Sequence, residues 1–197
     1  QKMKHRWHIA ENKSDAAASL ARALGISNLL AQCLMNRGLS DEVEAQSFLA
    51  PRLANLSAPE AIANLPTAVE RLFVARERNE RITVFGDYDV DGVTSAAFLT
   101  HFFRDLDCSV TAYLPERHIE GYGLNSDAVR KIREQGTTLM ITADCGITGV
   151  KEVGLANELG LDVIVTDHHQ VGEEGLPKAV AVLNPHRDEC DYPFRFL

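Results

Sequence analysis

Three aspartates alternate with other residues in the stretch 86–92, which reads Gly-Asp-Tyr-Asp-Val-Asp-Gly. An apolar run at 82–85 precedes it and predicts a strand. Because residues two apart on an extended backbone point the same way, we expect Asp87, Asp89 and Asp91 to project together from the end of that strand. Their mutual repulsion is relieved when a cation lies among them. Hard cations such as Mg²⁺ and Mn²⁺ select carboxylate oxygens, so the stretch predicts a divalent metal site.

Two other interpretations of this stretch compete with a catalytic metal site. A calcium loop of the EF-hand type also begins Asp-x-Asp-x-Asp-Gly, but its twelfth position would be Phe98, where that loop needs a bidentate Glu. A predicted strand also stands where an EF-hand has a helix. A solvated acidic turn, the usual fate of a run of charges, stays open on this stretch alone.

Further acidic residues and two histidines follow later apolar runs. Asp144 follows the third predicted strand, and Asp167, His168 and His169 follow the fourth. In a parallel sheet the carboxyl ends of the strands lie along one edge, where ligands bind near a topological switch point. Imidazole adds affinity for manganese or another transition metal. Two ions about 3.5–4 Å apart at such a site would activate a water and stabilise an in-line attack on phosphorus.

Glycines come soon after the acidic residues, at Gly92 and Gly146. Glycine lets the chain turn closely into a following helix. The amino ends of those helices, at 93–95 and near Ile147, would direct free backbone N–H groups at the same edge of the sheet. Such groups suit a phosphate.

The elements that must position these side chains alternate along the second part of the chain. Strands that alternate with helices of about 10–15 residues imply right-handed crossovers and a parallel sheet. The strands are short, continuous and β-branched, as expected of strands buried on both faces. The predicted fold class is therefore α/β, with a parallel, doubly wound sheet of about five strands. Strands are predicted at 82–85, 109–114, 138–142, 163–165 and 179–183, and helices between them at 94–106, 126–135 and 150–159.

A small α-helical region precedes this domain. Short helical segments at 16–24, 28–36 and 41–49 carry apolar residues on one side. We place the helical N-terminal region at 1–65 and the second domain at 66–197. The helical region is either a cap packed against the main domain or an adaptor that helps to place substrate.

Composition limits the class of protein. The 197 residues carry a formal net charge of −8, with 45% hydrophobic and 24% charged residues, which is ordinary for a globular protein. The acidic balance counts against a large nucleic-acid surface, but less against an enzyme that holds a phosphodiester through metals. No apolar run approaches the ~18 residues of a transmembrane helix, and neither a secretory signal nor a phosphate loop occurs. The four cysteines are scattered, so we expect free thiols and a cytoplasmic location.

The motifs taken together resemble those of a known family. The sequences Asp-Tyr-Asp-Val-Asp-Gly at 87–92, Asp-Cys-Gly at 144–146 and Asp-His-His at 167–169 are similar to motifs I, II and III of the DHH phosphoesterase superfamily. Within it, the chain most resembles the bacterial RecJ-type single-strand-specific DNA exonucleases, through further marks at 117–124 and 176–185. The resemblance covers most of the chain after the helical region.

This resemblance implies two bound Mn²⁺ or Mg²⁺ ions. Asp89 and Asp91 correspond to metal ligands, with Asp87 adjacent and able to ligate as well. Asp144 corresponds to the ligand that bridges both ions, and His168 corresponds to a further ligand.

The resemblance also implies roles around the substrate. His169 would contact the substrate phosphate and act in catalysis together with Asp144 and His168. Asp167 would orient the histidine pair. Arg117 would clamp a substrate phosphate through its guanidinium group, with an exposed loop arginine as the alternative.

The implied function is a metal-dependent 5′→3′ exonuclease that acts on single-stranded DNA in repair and recombination. Its implied partners are a single-strand-binding protein and a helicase, and we expect a monomer without a membrane association. Alternatives within the superfamily are a nanoRNase, a cyclic-dinucleotide phosphodiesterase and a pyrophosphatase, but those relatives carry a histidine where this chain has Phe85. A non-catalytic replication scaffold would be expected to lose motif residues, and a phosphoacceptor receiver domain has no need of the histidine pair.

The family carries a fourth aspartate motif, a second domain and an oligonucleotide-binding fold beyond the point where this sequence stops. We therefore expect the chain to be a fragment of a longer protein whose basic surface lies elsewhere. Alone, we expect it to bind metal weakly and to degrade single-stranded DNA poorly or not at all.

Overall fold

A computed structural model of the chain describes residues 8–116 and 119–193. The chain divides into two compact units, Gln1–Leu56 and Ser57–Leu197. This division assigns residues 57–65 to the second unit, whereas the sequence-based boundary lies after residue 65. That boundary stays a prediction.

The first unit is helical. It contains α1 (Ser14–Leu24), α2 (Asn28–Asn36) and α3 (Glu42–Leu49). α1 ends at Gly25, which takes the left-handed conformation (φ 66°) that suits glycine. No single helix among the described residues is long and apolar enough to cross a membrane, and the pair α1 and α2 passes that test only together, with a bend of 111°. The small core of the unit consists of Ala17, Leu20, Ala21, Ala31, Leu34 and Ala45.

The second unit is a five-stranded sheet in the order β2-β1-β3-β4-β5, with every neighbouring pair parallel. The chain moves from β1 to β2 on one side and then to β3 on the other side of β1. The topological switch point therefore lies between β1 and β3, which is where such sheets bind ligands. The strands are β1 (Arg81–Gly86), β2 (Ser109–Tyr113), β3 (Leu139–Ala143), β4 (Asp162–Thr166) and β5 (Ala181–Leu183), and the helices are α4 (Leu65–Glu77), α5 (Val90–Asp105), α6 (Ser126–Glu134) and α7 (Val150–Glu158).

Two apolar clusters cover the two faces of the sheet. One packs α4 and α5 against side chains such as Val84 and Ile141. The other packs α6 and α7 against side chains such as Phe85 and Met140. Because neighbouring residues of a strand point to opposite faces, both faces are apolar only when the strand is a continuous hydrophobic run. The five residues of β3 are all buried, and the predicted doubly wound α/β fold is confirmed.

Helix α5 differs from the prediction at its amino end. It begins at Val90 and not at residue 94, so the last two residues of the acidic stretch, Asp91 and Gly92, lie in its first turn. This earlier start changes how the carboxylates are presented.

Candidate metal centre

The acidic stretch between β1 and α5 is a turn into a helix. β1 ends at Gly86, and Asp89 is the N-cap residue of α5. Its Oδ1 accepts hydrogen bonds from the backbone N–H groups of Asp91 (3.0 Å) and Gly92 (3.1 Å). Aspartate is favoured at this position because the first N–H groups of a helix have no partner within it. The prediction that three carboxylates project from one extended backbone is therefore wrong.

Asp87 lies at the base of this turn and is fully buried. Its Oδ1 accepts the N–H of Tyr88 at 2.7 Å, while its Oδ2 is buried without a hydrogen-bond partner among the described residues. Glycine at position 92 permits this arrangement, because a Cβ at Gly92 would overlap the backbone nitrogen and carbonyl of Asp87. A buried carboxylate oxygen without a partner is costly, and a neighbouring cation would remove that cost.

Asp144 follows β3 and is 9% exposed. Its backbone is left-handed (φ 63°), a conformation uncommon outside glycine. One oxygen of its carboxylate lies 2.9 Å from Nε2 of His168. The carboxyl group also faces that of Asp89, closely enough for each to change the pKa of the other. Side chains that follow β1, β3 and β4 therefore meet at one point.

The Asp89–Asp144 pair has two unlike carboxyl groups. Burial raises the pKa of Asp144, and the charge of Asp89 raises it further. The pKa of Asp89 lies below its usual value, chiefly because the backbone N–H of Gly92 donates to its carboxylate. Two carboxyl groups in such contact share a proton or bind a cation.

Asp167 holds the histidine pair in place from a buried position. Its Oδ1 accepts hydrogen bonds from the backbone N–H of His168 (2.7 Å), the backbone N–H of His169 (3.0 Å) and Nδ1 of His169 (2.7 Å). Its Oδ2 accepts the N–H of Ile147 at 2.9 Å. Four donors on one carboxylate fix the direction of the loop after β4, as expected of a group that orients ligands.

The two histidine rings keep access to solvent. The side chains of His168 and His169 are 44% and 43% exposed, and their ring centroids lie 4.8 Å apart. Nε2 of His169 is 3.2 Å from Oη of Tyr122. Tyr122 belongs to the loop before α6 and comes 47 residues earlier in the chain.

The strand β5 contributes a supporting residue. Asn184 follows β5 directly and is fully buried. Its Nδ2 donates to the carbonyl of His169 at 2.9 Å, and its Oδ1 accepts the N–H of His186 at 2.7 Å. Asn184 therefore holds the main chain of the histidine pair from the neighbouring strand.

An open cleft of about 450 Å³ lies at the carboxyl edge of the sheet. Asp91, Asp144, Asp167 and His168 lie in its wall. Ligand atoms of Asp144, His168 and His169 all lie within 4.8 Å of one another, which is close enough for a single ion. Carboxylate oxygens with imidazole nitrogen suit Mn²⁺ and related divalent ions. Together with the unpartnered Oδ2 of Asp87, this donor set fits a divalent cation.

The structure brings all but one of the candidate residues to this edge. Arg117, proposed to clamp a phosphate, lies outside the described residues. The expectation of free N–H groups is wrong at two positions, since the N–H of Ile147 donates to the carboxylate of Asp167 and the N–H of Val93 donates to the carbonyl of Asp89. The individual roles of the ligands stay predictions.

Sequence reasoning assigned no role to Tyr122 or Asn184. Both stand in the stretches that mark the resemblance, at 117–124 and 176–185. Their places in these two stretches were a signal that they contribute to the site, but their contacts with His169 depend on the tertiary fold.

The fold and the cleft define a class: a doubly wound parallel α/β protein with a carboxylate–histidine cation site at its topological switch point. A family model described as the DHH family, N-terminal domain, matches residues 81–192. The chain therefore belongs to the DHH family.

Curated relatives support the finer resemblance. The chain is 41% identical over 194 residues to the single-stranded-DNA-specific exonuclease RecJ of Bacillus subtilis, covering 98% of the chain and 25% of that protein. It is 35% identical over 196 residues to RecJ of Escherichia coli, covering 99% of the chain and 33% of that protein. The chain thus spans a quarter to a third of the length of these relatives, and its predicted resemblance to RecJ-type proteins is confirmed.

Solved structures agree with this assignment. A crystal structure of exonuclease RecJ bound to manganese matches with a TM-score of 0.62 and 35% identity, covering 68% of this chain and 34% of that one. A structure of RecJ in complex with Mn²⁺ from Thermus thermophilus matches with a TM-score of 0.66 and 29% identity, covering 90% of this chain and 24% of that one.

Proposed function

We propose that the protein containing this chain is a metal-dependent exonuclease that hydrolyses single-stranded DNA. The observation that carries the proposal is the convergence of Asp89, Asp144 and His168 from three strand ends. The relatives that share this stretch are named as exonucleases specific for single-stranded DNA. The buried, unpartnered oxygen of Asp87 supports a cation beside them.

Carboxylate side chains at this edge of the sheet would hold the metal ions. Two Mn²⁺ or Mg²⁺ ions, when bound, supply a nucleophilic water and stabilise charge on the phosphate during in-line displacement. The resemblance implies that Asp144 would be the ligand shared by both ions, and its carboxylate contacts His168 and faces Asp89. Asp87 and Asp91 would complete the carboxylate set on the β1 side.

The second histidine would act on the substrate. His169 is held by Asp167 through Nδ1, which leaves Nε2 on the side of the ring away from Asp167. When DNA binds, Nε2 of His169 would exchange the hydroxyl of Tyr122 for a non-bridging oxygen of the scissile phosphate and donate a hydrogen bond to it. Phe85, which stands where other phosphoesterases of the superfamily carry histidine, is fully buried and stacks on Tyr113. It therefore offers no ligand, which favours the exonuclease over those relatives.

The finer features of the proposal rest on the resemblance. They are 5′→3′ polarity, a role in DNA repair and recombination, and action as a monomer in the cytoplasm. A single-strand-binding protein and a helicase are the proposed partners, because both handle the same single strands.

The test uses the intact protein and a labelled DNA strand of about 60 nucleotides, single-stranded or as a duplex. We expect mononucleotide release from the single strand from its 5′ end, dependent on Mn²⁺. Asp144→Ala should lower the rate by at least about 100- to 1,000-fold, since it removes a main electrostatic contributor. Chelation of the ions should have the same effect.

The matched control is Asp105→Ala, which removes an exposed aspartate from the other end of α5. It should cleave at the wild-type rate. Near-normal cleavage by Asp144→Ala would refute the bridging role, and preference for dinucleotides over the long strand would refute the exonuclease proposal.

A further inference from the structure

Tyr122 stands in a loop whose backbone is unusual. It is flanked by Gly121 (φ 79°) and Gly123 (φ 76°), both in the left-handed region. A side chain at either position would strain the backbone. The two glycines therefore set the course of the loop, and the ring of Tyr122, which is 59% exposed, lies over the edge of the site.

Tyr122 contacts two motifs at once. Its ring meets that of Tyr88 edge to face at 6.1 Å and that of His169 edge to face at 6.2 Å. Its Oη lies 3.2 Å from Nε2 of His169. These contacts join the acidic turn after β1 to the histidine pair after β4.

The hydrogen bonds assign the tautomer of His169. An ionised Asp167 only accepts hydrogen bonds, so the ring nitrogen that faces it, Nδ1, carries a hydrogen. Nε2 of the neutral ring then presents a lone pair, and the hydroxyl of Tyr122 donates to it. A tyrosine hydroxyl keeps its proton at neutral pH and can donate it in a hydrogen bond.

This arrangement bears on metal binding. His169 lies close enough to Asp144 and His168 to ligate the same ion. An ion needs the lone pair of a ring nitrogen, and both nitrogens of His169 have partners. We propose that Tyr122 is a positioning residue that, before DNA binds, holds Nε2 of His169 away from the metal, so that His168 ligates and Nε2 can later exchange the hydroxyl of Tyr122 for a substrate phosphate.

This proposal rests on the proposed function, because it assumes that the cleft binds Mn²⁺. Tyr122→Phe tests it, since this change removes the hydroxyl and keeps the ring contact with Tyr88. We expect the freed His169 to join the ligands of the ion. Loss of one competing hydrogen bond should tighten Mn²⁺ binding about 3- to 10-fold.

The measurement is pulsed electron paramagnetic resonance on the intact protein with less than one equivalent of Mn²⁺ and ¹⁵N-labelled histidine. It counts the imidazole nitrogens coupled to the ion. We expect one in the wild type and two in Tyr122→Phe, and calorimetry gives the affinities. Turnover of single-stranded DNA should fall in Tyr122→Phe with little change in KM.

A double variant shows whether Tyr122 acts through His169. In a His169→Ala background, Tyr122→Phe should have no further effect on Mn²⁺ affinity. One coupled nitrogen and equal affinity in both the wild type and Tyr122→Phe would overturn the inference alone. Absence of Mn²⁺ binding by the wild type would overturn the proposed function and the inference with it, whereas Mn²⁺ binding without DNA cleavage would overturn only the nuclease.

Discussion

At the scale of single residues, Asp89 combines a structural and a chemical task. One oxygen accepts the first N–H groups of α5, and the carboxyl group also contacts Asp144. A helix cap requires only an acceptor, whereas a cation site requires negative charge. The two tasks are therefore separable by substitution.

We expect Asp89→Asn to keep the cap and to weaken the cation site. Asparagine is as good an N-cap as aspartate, while alanine costs about 0.5–2 kcal/mol. Hydrogen exchange at the amino end of α5 should therefore be unchanged in Asp89→Asn and faster in Asp89→Ala. Calorimetry should show weaker Mn²⁺ binding in both. Equal exchange in the two variants would contradict the capping role.

Gly92 and Gly154 provide a matched pair of helical glycines. A Cβ at Gly92 would overlap the backbone of Asp87, whereas a Cβ at Gly154 would meet nothing within 4 Å. Gly154→Ala should stabilise α7 by about 0.5–1 kcal/mol, because alanine restricts the unfolded chain and favours the helix.

Gly92→Ala should instead displace the turn, with slower hydrolysis and faster exchange of the amides at 86–92. Equal amide exchange and equal hydrolysis in the two variants would contradict the conclusion that the close approach of α5 to Asp87 positions the turn.

At this scale, features that are determined by the local sequence could be predicted, and features that depend on tertiary contacts could not. The sequence identified the acidic residues and the histidines, because their types and their places after apolar runs are local signals. It placed Asp89 on an extended strand because nothing in the stretch showed that α5 begins at Val90. The contact between Tyr122 and His169 spans 47 residues, so only the folded sheet brings those two side chains together.

At the scale of elements, an ion-pair network ties the amino edge of the sheet together. Arg71 of α4 donates to Glu80 at 2.6 Å and to Asp162 of β4 at 2.7 Å. Thr138, just before β3, also donates to Glu80 at 2.9 Å. The network joins α4 to the starts of three strands and lies at the sheet edge opposite to the cation site.

Glu80 makes this network sensitive to pH. Burial alone would raise its pKa, but the hydrogen bonds from Arg71 and Thr138 outweigh burial and hold the pKa below its usual value. An acid with a lowered pKa stabilises the fold at neutral pH and loses that contribution as the pH falls through its folded pKa. The loss should therefore begin below about pH 4.3, the ordinary pKa of Glu.

We expect Glu80→Gln to lower the stability of the sheet by about 1.5–3 kcal/mol at pH 7, because it removes hydrogen bonds to a charged, largely buried group. The deficit against the wild type should shrink below about pH 4.3. Hydrogen exchange of the β1 and β4 amides, corrected for the intrinsic exchange rate, measures the deficit in stability at pH 7 and its decrease at lower pH.

The control is Glu174→Gln, which removes an exposed pair with Lys151 that should contribute only about 0–1 kcal/mol. A deficit in Glu80→Gln that stayed constant down to pH 3 would contradict the assigned ionisation.

The order of elements was predictable because each strand is a short apolar run and each helix has its own spacing. The runs that became β1, β3 and β4 needed no long-range information. The sequence did not show which strands would be neighbours in the sheet. The switch point between β1 and β3 depends on that order of pairing. The position of β5 was also needed to explain the site, because Asn184, which follows β5, contacts the histidine pair.

At the scale of the whole molecule, net charge and chain length bear on where the protein contacts DNA. The chain has 20 basic and 28 acidic residues, with a net charge of −8. Affinity for DNA comes mainly from cations that neutralise phosphates. The chain covers only 25% and 33% of the length of the two exonucleases described above. On the expectation that the protein is as long as these exonucleases, we propose that most of its cationic DNA contacts lie outside the 197 residues.

The 197 residues alone and the intact protein should therefore differ in their affinity for a single-stranded 20-nucleotide DNA without divalent ions, where cleavage does not occur. We expect the intact protein to bind more tightly at 50 mM salt, by at least about 10-fold, and to weaken steeply as salt rises, because binding releases counterions. The isolated chain should show little binding at any salt concentration. Protection of the β1 and β3 amides from hydrogen exchange would serve as the control that the isolated chain is folded. Equal affinity and equal salt dependence for the two proteins would place the DNA contacts within these 197 residues, against their net charge.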